Sequence, residues 1–178
     1  IKGTPAPCRA RTATLILPMD QTGDGLTSVD LLIVPKEIVL DVIDKCYRGL
    51  PELAQHTTSL LIDAPAPRFL VLLENMADGQ FTTFDAEVSL YEEMVRRDTP
   101  RGATILIKAH PLSVGPMEDA LAQRLAGDYK IRIISRELSR YPIEIWKDLL
   151  SMCDVITMSY SAVSLAFLYG KSNTYRSS

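Results

Sequence analysis

The stretch from Ala103 to Pro111 reads ATILIKAHP, a short aliphatic run that ends in a lysine, a histidine and a proline. Its length and composition are typical of a strand that is buried on both faces, as in the parallel sheets of α/β proteins. Pro111 has no backbone N–H and disfavours a helical backbone at His110, so the chain should leave the sheet sharply. The stretch therefore predicts a buried strand that is followed at once by a polar loop.

The same alternation of a short aliphatic run and an amphipathic segment recurs along the chain. Parallel strands need crossover connections, usually helices, so repeated βα units indicate a parallel sheet with helices on both faces. We therefore predict an α/β fold with a Rossmann-like parallel sheet. The predicted strands are Phe69–Leu73, Ala103–Lys108, Lys130–Ile134 and Asp154–Met158, and the predicted helices are Phe84–Arg97, Met117–Ala126, Ile143–Met152 and Ala162–Tyr169.

The region before this alternation has a different composition. Residues 1–28 are rich in Pro, Thr, Gly and Asp, and turn residues of this kind interrupt regular structure. A further strand is predicted at Val29–Val34 and a helix at Pro35–Arg48. We interpret residues 1–65 as an N-terminal segment and residues 66–178 as the Rossmann-like domain.

The composition of the 178 residues narrows the class of protein. The net charge of −3 argues against a broad nucleic-acid-binding face, and no apolar run reaches the ~18 residues that a membrane helix needs. The three cysteines are widely spaced and lack a C-x-x-C pair, which favours reduced thiols in a cytoplasmic protein. Cys46 and Cys153 are expected to pack in the core. No carboxylate cluster indicates a metal site, and no organic cofactor is expected.

Polar side chains follow each of the predicted strands at the point where the strand ends. In open α/β sheets, ligands bind beyond the carboxyl ends of the strands, where these segments should meet. Together they supply acids, cations and hydroxyl groups, so the sequence predicts a binding site at this edge. The segments are Glu74–Gly79, Lys108–Pro111, Ser135–Glu137 and Ser159–Ser161.

His110 is the histidine at this edge. An imidazole there could donate a hydrogen bond to a phosphate oxygen or protonate a leaving group near neutral pH. A loop histidine that is hydrogen-bonded to the backbone explains the pattern equally well. The other histidine, His56, lies away from the strand ends, and we interpret it as a surface residue.

The remaining candidate residues also have simple structural alternatives. Ser159 and Ser161 precede a helix, where hydroxyl and N–H groups can bind an anion or where one serine can act as an ordinary N-cap. Glu144 could accept the hydroxyls of a ribose or simply favour the positive end of a helix dipole. Asp78 could act as a base or belong to an Asp-Gly turn.

These residues occur in an order that resembles a known family. The stretches IKAHP (107–111), YPIEIW (141–146) and DVITMSYSAVSLAFLYG (154–170) are similar to the His-Pro, Pro-x-Glu and serine motifs of bacterial-type sialyltransferases and polysialyltransferases with the GT-B architecture. The segment LLENMADGQFTTFDAEVSLYEEMV (72–95) resembles the strand, acidic-Gly loop and helix of the same enzymes. The resemblance covers residues 69–170, although here Tyr160 separates the two serines, which are often adjacent in the family.

The resemblance implies a role for each of the matched residues. His110 would bind the phosphate of CMP and stabilise the leaving group, and Glu144 would bind the cytidine ribose. Ser161, together with Ser159, would bind the phosphate. Asp78 falls on the acidic-Gly motif, whose carboxylate is a general base in some members. The Lys108–Pro111 strand end, including Lys108 and Pro111 themselves, would face the nucleotide.

The function that the resemblance implies is an inverting, metal-independent transfer of sialic acid from a CMP-activated donor to a glycan hydroxyl. Residues 66–178 would be the CMP-sugar-binding half of a GT-B enzyme, and residues 1–65 part of an acceptor-side domain or a linker from it. The enzyme would be cytoplasmic, and attachment to the membrane periphery and homo-oligomer formation are left open. Two alternatives remain: a GT-B transferase with another nucleotide donor, of the capsule or teichoic-acid type, and a non-catalytic nucleotide- or glycan-binding module.

Overall fold

A computed structural model of the protein describes residues 12–15, 30–159 and 161–171. The chain divides into two compact units, and the boundary follows Val42. In the first unit, strands β1 (Thr12–Leu15) and β2 (Asp30–Ile33) pair in parallel. Helix α1 (Lys36–Arg48) contains the boundary. Strand β2 and helix α1 agree with the sequence prediction to within one residue at each end.

The second unit is an α/β layer structure, as the sequence predicts. Its four strands form an all-parallel sheet, and helices follow or precede each strand. The fold class is therefore confirmed. In chain order the elements are α2 (Pro51–Leu61), β3 (Arg68–Leu72), α3 (Phe84–Asp98), β4 (Thr104–Lys108), α4 (Met117–Leu125), β5 (Lys130–Ile133), α5 (Arg136–Ser139), a 3-10 turn (Ile143–Ile145), α6 (Lys147–Met152), β6 (Asp154–Thr157) and α7 (Ser161–Tyr169).

The order of the strands in the sheet is β5-β4-β3-β6. The chain moves from β3 through β4 to β5 in one direction and then returns to place β6 on the other side of β3. The direction in which strands are added to the sheet therefore reverses at β3, between β4 on one side and β6 on the other. A reversal of this kind opens a crevice beyond the carboxyl ends of the strands, which is where ligands of such sheets bind.

Strands β3 and β4 are buried on both faces: their side chains alternate between the two faces of the sheet, and none of those in β4 is exposed. Val71 of β3 and Ile105 and Ile107 of β4 belong to one apolar cluster with residues of α3 and α4. The intervening residues, Leu70 and Leu106, are equally inaccessible. Lys108 continues the alternation on the Leu106 face, so its side chain also lies inside the protein.

The predicted helix at Ile143–Met152 is wrong in its first turn. The structure has a 3-10 turn at Ile143–Ile145, and Trp146 leaves helical geometry before α6 begins. The backbone carbonyl of Glu144 accepts a hydrogen bond from the hydroxyl of Tyr169, which takes the place of a regular helical bond. The turn thereby fixes Glu144 against the last helix.

Two helices were not predicted from the sequence. Helix α2 lies in a stretch that the sequence analysis left within the N-terminal segment, and the structure places it in the second unit. Helix α5 is a single turn, capped by the Ser135 hydroxyl, which accepts a hydrogen bond from the Leu138 N–H. The assignment of residues 1–65 to an acceptor-side domain or linker stays a prediction.

The core assignment is correct for one cysteine and wrong for the other. Cys153 is buried, and burial raises the pKa of its thiol to about 11. Cys46 is exposed because α1 turns Ile43 and Tyr47 inward, and Cys46 lies about 100° away from Tyr47 around the helix. Cys8 lies outside the described residues.

His56 is half-buried, whereas the sequence-based interpretation made it a surface residue. Its ring packs edge-on against the buried Trp146, with 6.2 Å between the ring centroids. Burial lowers its pKa below the usual value. The reason is that α2 packs against α6, which turns one side of α2 towards the interior.

Candidate functional site

A cavity of about 240 Å³ lies at the carboxyl ends of β3, β4 and β6. Six of the seven residues that the sequence singled out line it, and they come from three separate segments of the chain. These are the strand end after β4, the 3-10 turn and the start of α7. We call this the switch-point cavity; its lining includes Glu74, Lys108, His110, Pro111, Glu144, Ser159 and Ser161.

The imidazole of His110 has a defined hydrogen-bonding pattern. Its Nδ1 accepts a hydrogen bond from the backbone N–H of Leu112 at 3.2 Å. In the neutral ring, only one nitrogen carries a proton, so this bond leaves the proton on Nε2. The two interpretations of His110, as a histidine bonded to the backbone and as one that binds a ligand, are therefore compatible. The bond from the loop fixes the proton on Nε2, and this N–H remains able to donate to a ligand.

Lys108 lies beneath this cavity with only 4% of its surface exposed. Its ammonium donates a 2.6 Å hydrogen bond to the backbone carbonyl of Ser139. Burial lowers its pKa to about 8, while the charge of Glu144 acts in the opposite direction. At neutral pH the cavity therefore has a cation within its wall, which favours an anionic ligand.

The buried lysine gives a prediction for stability. The folded-state pKa of about 8 lies below the ordinary lysine value of 10.5, so between these values the unfolded chain binds more protons than the folded chain does. Stability from this group should therefore rise with pH across that window, by roughly 3 kcal/mol in total. Urea unfolding of wild type and Lys108→Met should show wild type gaining relative to the variant between these pH values. Lys130→Met, at an exposed position, is the control. If the free energy of unfolding of Lys108→Met changes with pH in parallel with that of wild type, the lowered pKa of Lys108 is contradicted.

Glu144 is held by the last helix. One carboxylate oxygen accepts a 2.6 Å hydrogen bond from the hydroxyl of Ser164, and the Tyr169 hydroxyl binds its backbone carbonyl. The side chain is half-buried in the wall of the cavity. Its second oxygen has no hydrogen-bond partner among the described residues, so it can accept from a ligand hydroxyl.

The two serines contact each other at the start of α7. The Ser159 hydroxyl accepts a 3.1 Å hydrogen bond from the backbone N–H of Ser161, and the two hydroxyl oxygens are 3.2 Å apart. Ser159 thus satisfies one N–H near the helix start, as the capping alternative requires. The Ser161 hydroxyl caps no backbone group among the described residues. Of the two, Ser161 is the serine better placed to contact a ligand.

Asp78 is the one candidate that the structure does not bring into the cavity. Its carboxylate accepts hydrogen bonds from the Ser113 hydroxyl at 3.1 Å and the Val114 N–H at 3.0 Å. These bonds tie the loop after β3 to the loop after β4. The structure therefore gives Asp78 a loop-anchoring role; its role as a base stays a prediction.

Glu74 lines the cavity although the sequence analysis did not select it. It follows β3 directly, and its backbone N–H donates a 2.8 Å hydrogen bond to the hydroxyl of Tyr91. Its carboxylate is half-buried and accepts no hydrogen bond from the described part of the chain. The position of Glu74 immediately after a buried strand was the sequence signal that could have identified it as a site residue. The family resemblance instead assigned the base to Asp78.

The loop that contains Glu74 and Asp78 is anchored from helix α3. The buried carboxylate of Glu87 accepts hydrogen bonds from the backbone N–H groups of Met76, at 3.2 Å, and Ala77, at 2.7 Å. Tyr91 of the same helix donates a bond to the Leu72 carbonyl. Glu87 and Tyr91 of α3 therefore position this loop.

Replacement of Glu87 should destabilise the protein. Glu87→Gln keeps the size of the side chain but turns an amide N–H₂ towards one of the backbone donors. We expect the free energy of unfolding to fall by about 1.5–3 kcal/mol, as is usual for hydrogen bonds to a charged group. Glu93→Gln, on the exposed face of the same helix, should change it by less than ~0.5 kcal/mol. Equal unfolding midpoints for the two variants in urea would refute this role for Glu87.

Two general properties bear on what the site can hold. Within the described ranges, no group of three His, Cys, Asp or Glu residues lies together as a metal site would require. Among the helices in the same ranges, none is long and apolar enough to cross a membrane. The groups that line the switch-point cavity include hydrogen-bond donors, carboxylates and the buried ammonium of Lys108.

Comparisons with known proteins gave no match: neither a protein-family model, nor a curated protein, nor a solved structure matches this chain. The resemblance to sialyltransferases therefore depends on the sequence motifs. The geometry of the cavity is the independent observation on which a function can be argued.

Proposed function

We propose that the second unit binds the CMP portion of a CMP-activated sialic acid and serves an inverting transfer of the sugar to a glycan hydroxyl. The observation that carries the proposal is the convergence of six motif residues, from three segments far apart in sequence, on one cavity at the switch point of a parallel sheet. Ligands of this fold class bind at such a point.

The chemistry of the lining suits a nucleoside monophosphate. His110 and Ser161 offer donors to a phosphate, and the buried Lys108 adds a positive charge. Glu144 offers a carboxylate oxygen to the hydroxyls of a ribose. A cavity of about 240 Å³ is smaller than the roughly 300–1,000 Å³ of drug-sized ligand sites, so it fits a phosphate and ribose better than a whole nucleotide sugar.

In this proposal the protein acts by positioning and by stabilising charge. The phosphate of a CMP-sugar leaves readily, so hydrogen bonds from His110 Nε2 and the Ser161 hydroxyl to its oxygens lower the barrier without a metal. The acceptor hydroxyl attacks the anomeric carbon as the bond to phosphate breaks, and a carboxylate removes the hydroxyl proton. Both Asp78 and Glu74 are carboxylates near the site, and Glu74 lines the cavity itself.

The identity of the nucleotide is tested by calorimetric titration with CMP, CDP and UDP. The proposal predicts that CMP binds most tightly and that Lys108→Met weakens it. Preference for UDP would instead favour a transferase with a uridine donor. If none of the three nucleotides binds, the proposed function fails.

The phosphate contact of Ser161 can be separated from a capping role. The bond from the Ser161 N–H to Ser159 survives in Ser161→Ala, so we expect the melting temperature to stay near that of wild type. CMP affinity should fall about ten-fold or less, while cytidine, which lacks phosphate, should bind both proteins alike. Ser151→Ala, in an exposed helix position, should change neither affinity. A lower melting temperature with unchanged CMP affinity would assign Ser161 to the helix cap alone.

A further inference from the structure

A second cavity, of about 270 Å³, lies beside the switch-point cavity. The two share the Ala109–Pro111 segment, so His110 lines both. The second cavity is otherwise lined by Ser113, Val114, Ser139 and two arginines, Arg136 and Arg140, and we call it the arginine cavity. We propose that the arginine cavity binds the carboxylate of an acidic sugar.

The guanidinium of Arg136 is fixed in the wall of this cavity. It donates from Nε to the buried carboxylate of Glu118 and from its terminal nitrogens to the carbonyls of Val114 and Gly115. A guanidinium has five N–H donors, so these three bonds leave about two for a ligand. Glu118 compensates the charge of Arg136, which makes this residue a rigid donor more than a source of net charge.

Arg140 supplies the positive charge that is not compensated. Its side chain is exposed at the rim, and no described residue accepts a hydrogen bond from its guanidinium or forms an ion pair with it. The carboxylate of Asp78, whose charge acts on Arg136, accepts its hydrogen bonds from Ser113 and Val114. The planar fork of an arginine matches the paired oxygens of a carboxylate or a phosphate. Because the proposed function places the donor phosphate in the switch-point cavity, the anion left for the arginine cavity is a carboxylate.

The inference rests on the proposed function and specifies it further. A sialyl residue has a carboxylate next to the carbon that is transferred. With the donor phosphate in the switch-point cavity, the shared His110 places the arginine cavity next to the reacting end of the donor. The carboxylate could come from the sialyl group of the donor or from an acidic sugar at the end of the acceptor.

Calorimetry on wild type, Arg140→Gln and the control Arg132→Gln distinguishes these sources. Arg132 is also an exposed arginine, on β5, outside both cavities. The donor arm compares CMP with the 3-fluoro analogue of CMP-sialic acid, which resists hydrolysis. The acceptor arm compares lactose with sialyllactose, with and without CMP.

We expect the sialylated member of one pair to bind about ten-fold or more tightly than its partner. Arg140→Gln should abolish that gain and leave CMP affinity unchanged, whereas Arg132→Gln should behave as wild type. The arm that shows the gain identifies the source of the carboxylate. Equal binding within both pairs, or a gain that persists in Arg140→Gln, overturns the inference. If CMP does not bind at all, the proposed function fails separately, and the sialyllactose arm without nucleotide still decides whether the arginine cavity binds a carboxylate.

Discussion

Glu74→Gln should lower the rate of sialyl transfer by about 10²–10⁴ and leave CMP affinity near that of wild type, as expected for loss of a general base. The carboxylate lines the switch-point cavity, directly after β3, and accepts no hydrogen bond from the described residues. A base must be free to accept a proton, and Glu74 meets this condition. The hydrogen bond that anchors Glu74 is made by its backbone N–H, and glutamine has the same size as glutamate, so the replacement should leave the fold intact.

Asp78→Asn is the matched comparison because the resemblance assigned the base to that residue. Both hydrogen bonds that its carboxylate accepts from the loop after β4 go to one oxygen, Oδ2, and the carbonyl oxygen of an asparagine there is an uncharged and weaker acceptor. We expect Asp78→Asn to lower the melting temperature and to change the rate less than Glu74→Gln does. The assignment of the base to Glu74 is refuted if Asp78→Asn alone loses turnover at unchanged CMP affinity.

His110→Ala should lower the rate of transfer by about 10²–10³, because it removes one donor to the charge that develops on the phosphate. His110 is half-exposed at a strand end, so truncation should leave no cavity in the core and the melting temperature should stay close to wild type. Initial rates of CMP release, measured together with thermal unfolding, test both statements.

The chain offers a matched control in its other histidine. His56→Gln removes an imidazole that packs on Trp146, and neither residue lines the switch-point cavity. This variant should lose stability and keep its rate, which is the reverse of the pattern expected for His110→Ala. Full activity of a stably folded His110→Ala protein would disprove the catalytic role of this residue.

The sheet could be predicted because each of its strands is an aliphatic run that ends abruptly in polar residues. Parallel strands align their carboxyl ends, so the sequence also predicts that His110 and the two serines lie at one edge. The inclusion of Glu144 depended on the resemblance, because nothing in its local sequence separates a ligand-binding glutamate from one at a helix start. The structure shows how it comes near the serines: Ser164 and Tyr169 bind it.

The choice between Glu74 and Asp78 could not be made from the sequence. Both lie in one loop, and the difference between them comes from contacts distant in the chain, to Tyr91 for Glu74 and to Ser113 and Val114 for Asp78. The arginine cavity could be predicted only in part. The sequence places Ser135–Glu137, and with it Arg136, at the carboxyl edge of the sheet. Arg140 is the C-cap of α5, and the single turn of that helix leaves little periodic signal.

A crystal soaked with CMP tests the central claim most directly. We predict electron density for the nucleotide in the switch-point cavity, between residues 109–111 and residues 159–161. A phosphate oxygen should lie about 2.7–3.2 Å from His110 Nε2 and from the Ser161 hydroxyl, with the ribose against Glu144. Density for CMP at another place, or an empty cavity in crystals that are saturated with CMP, would contradict the account.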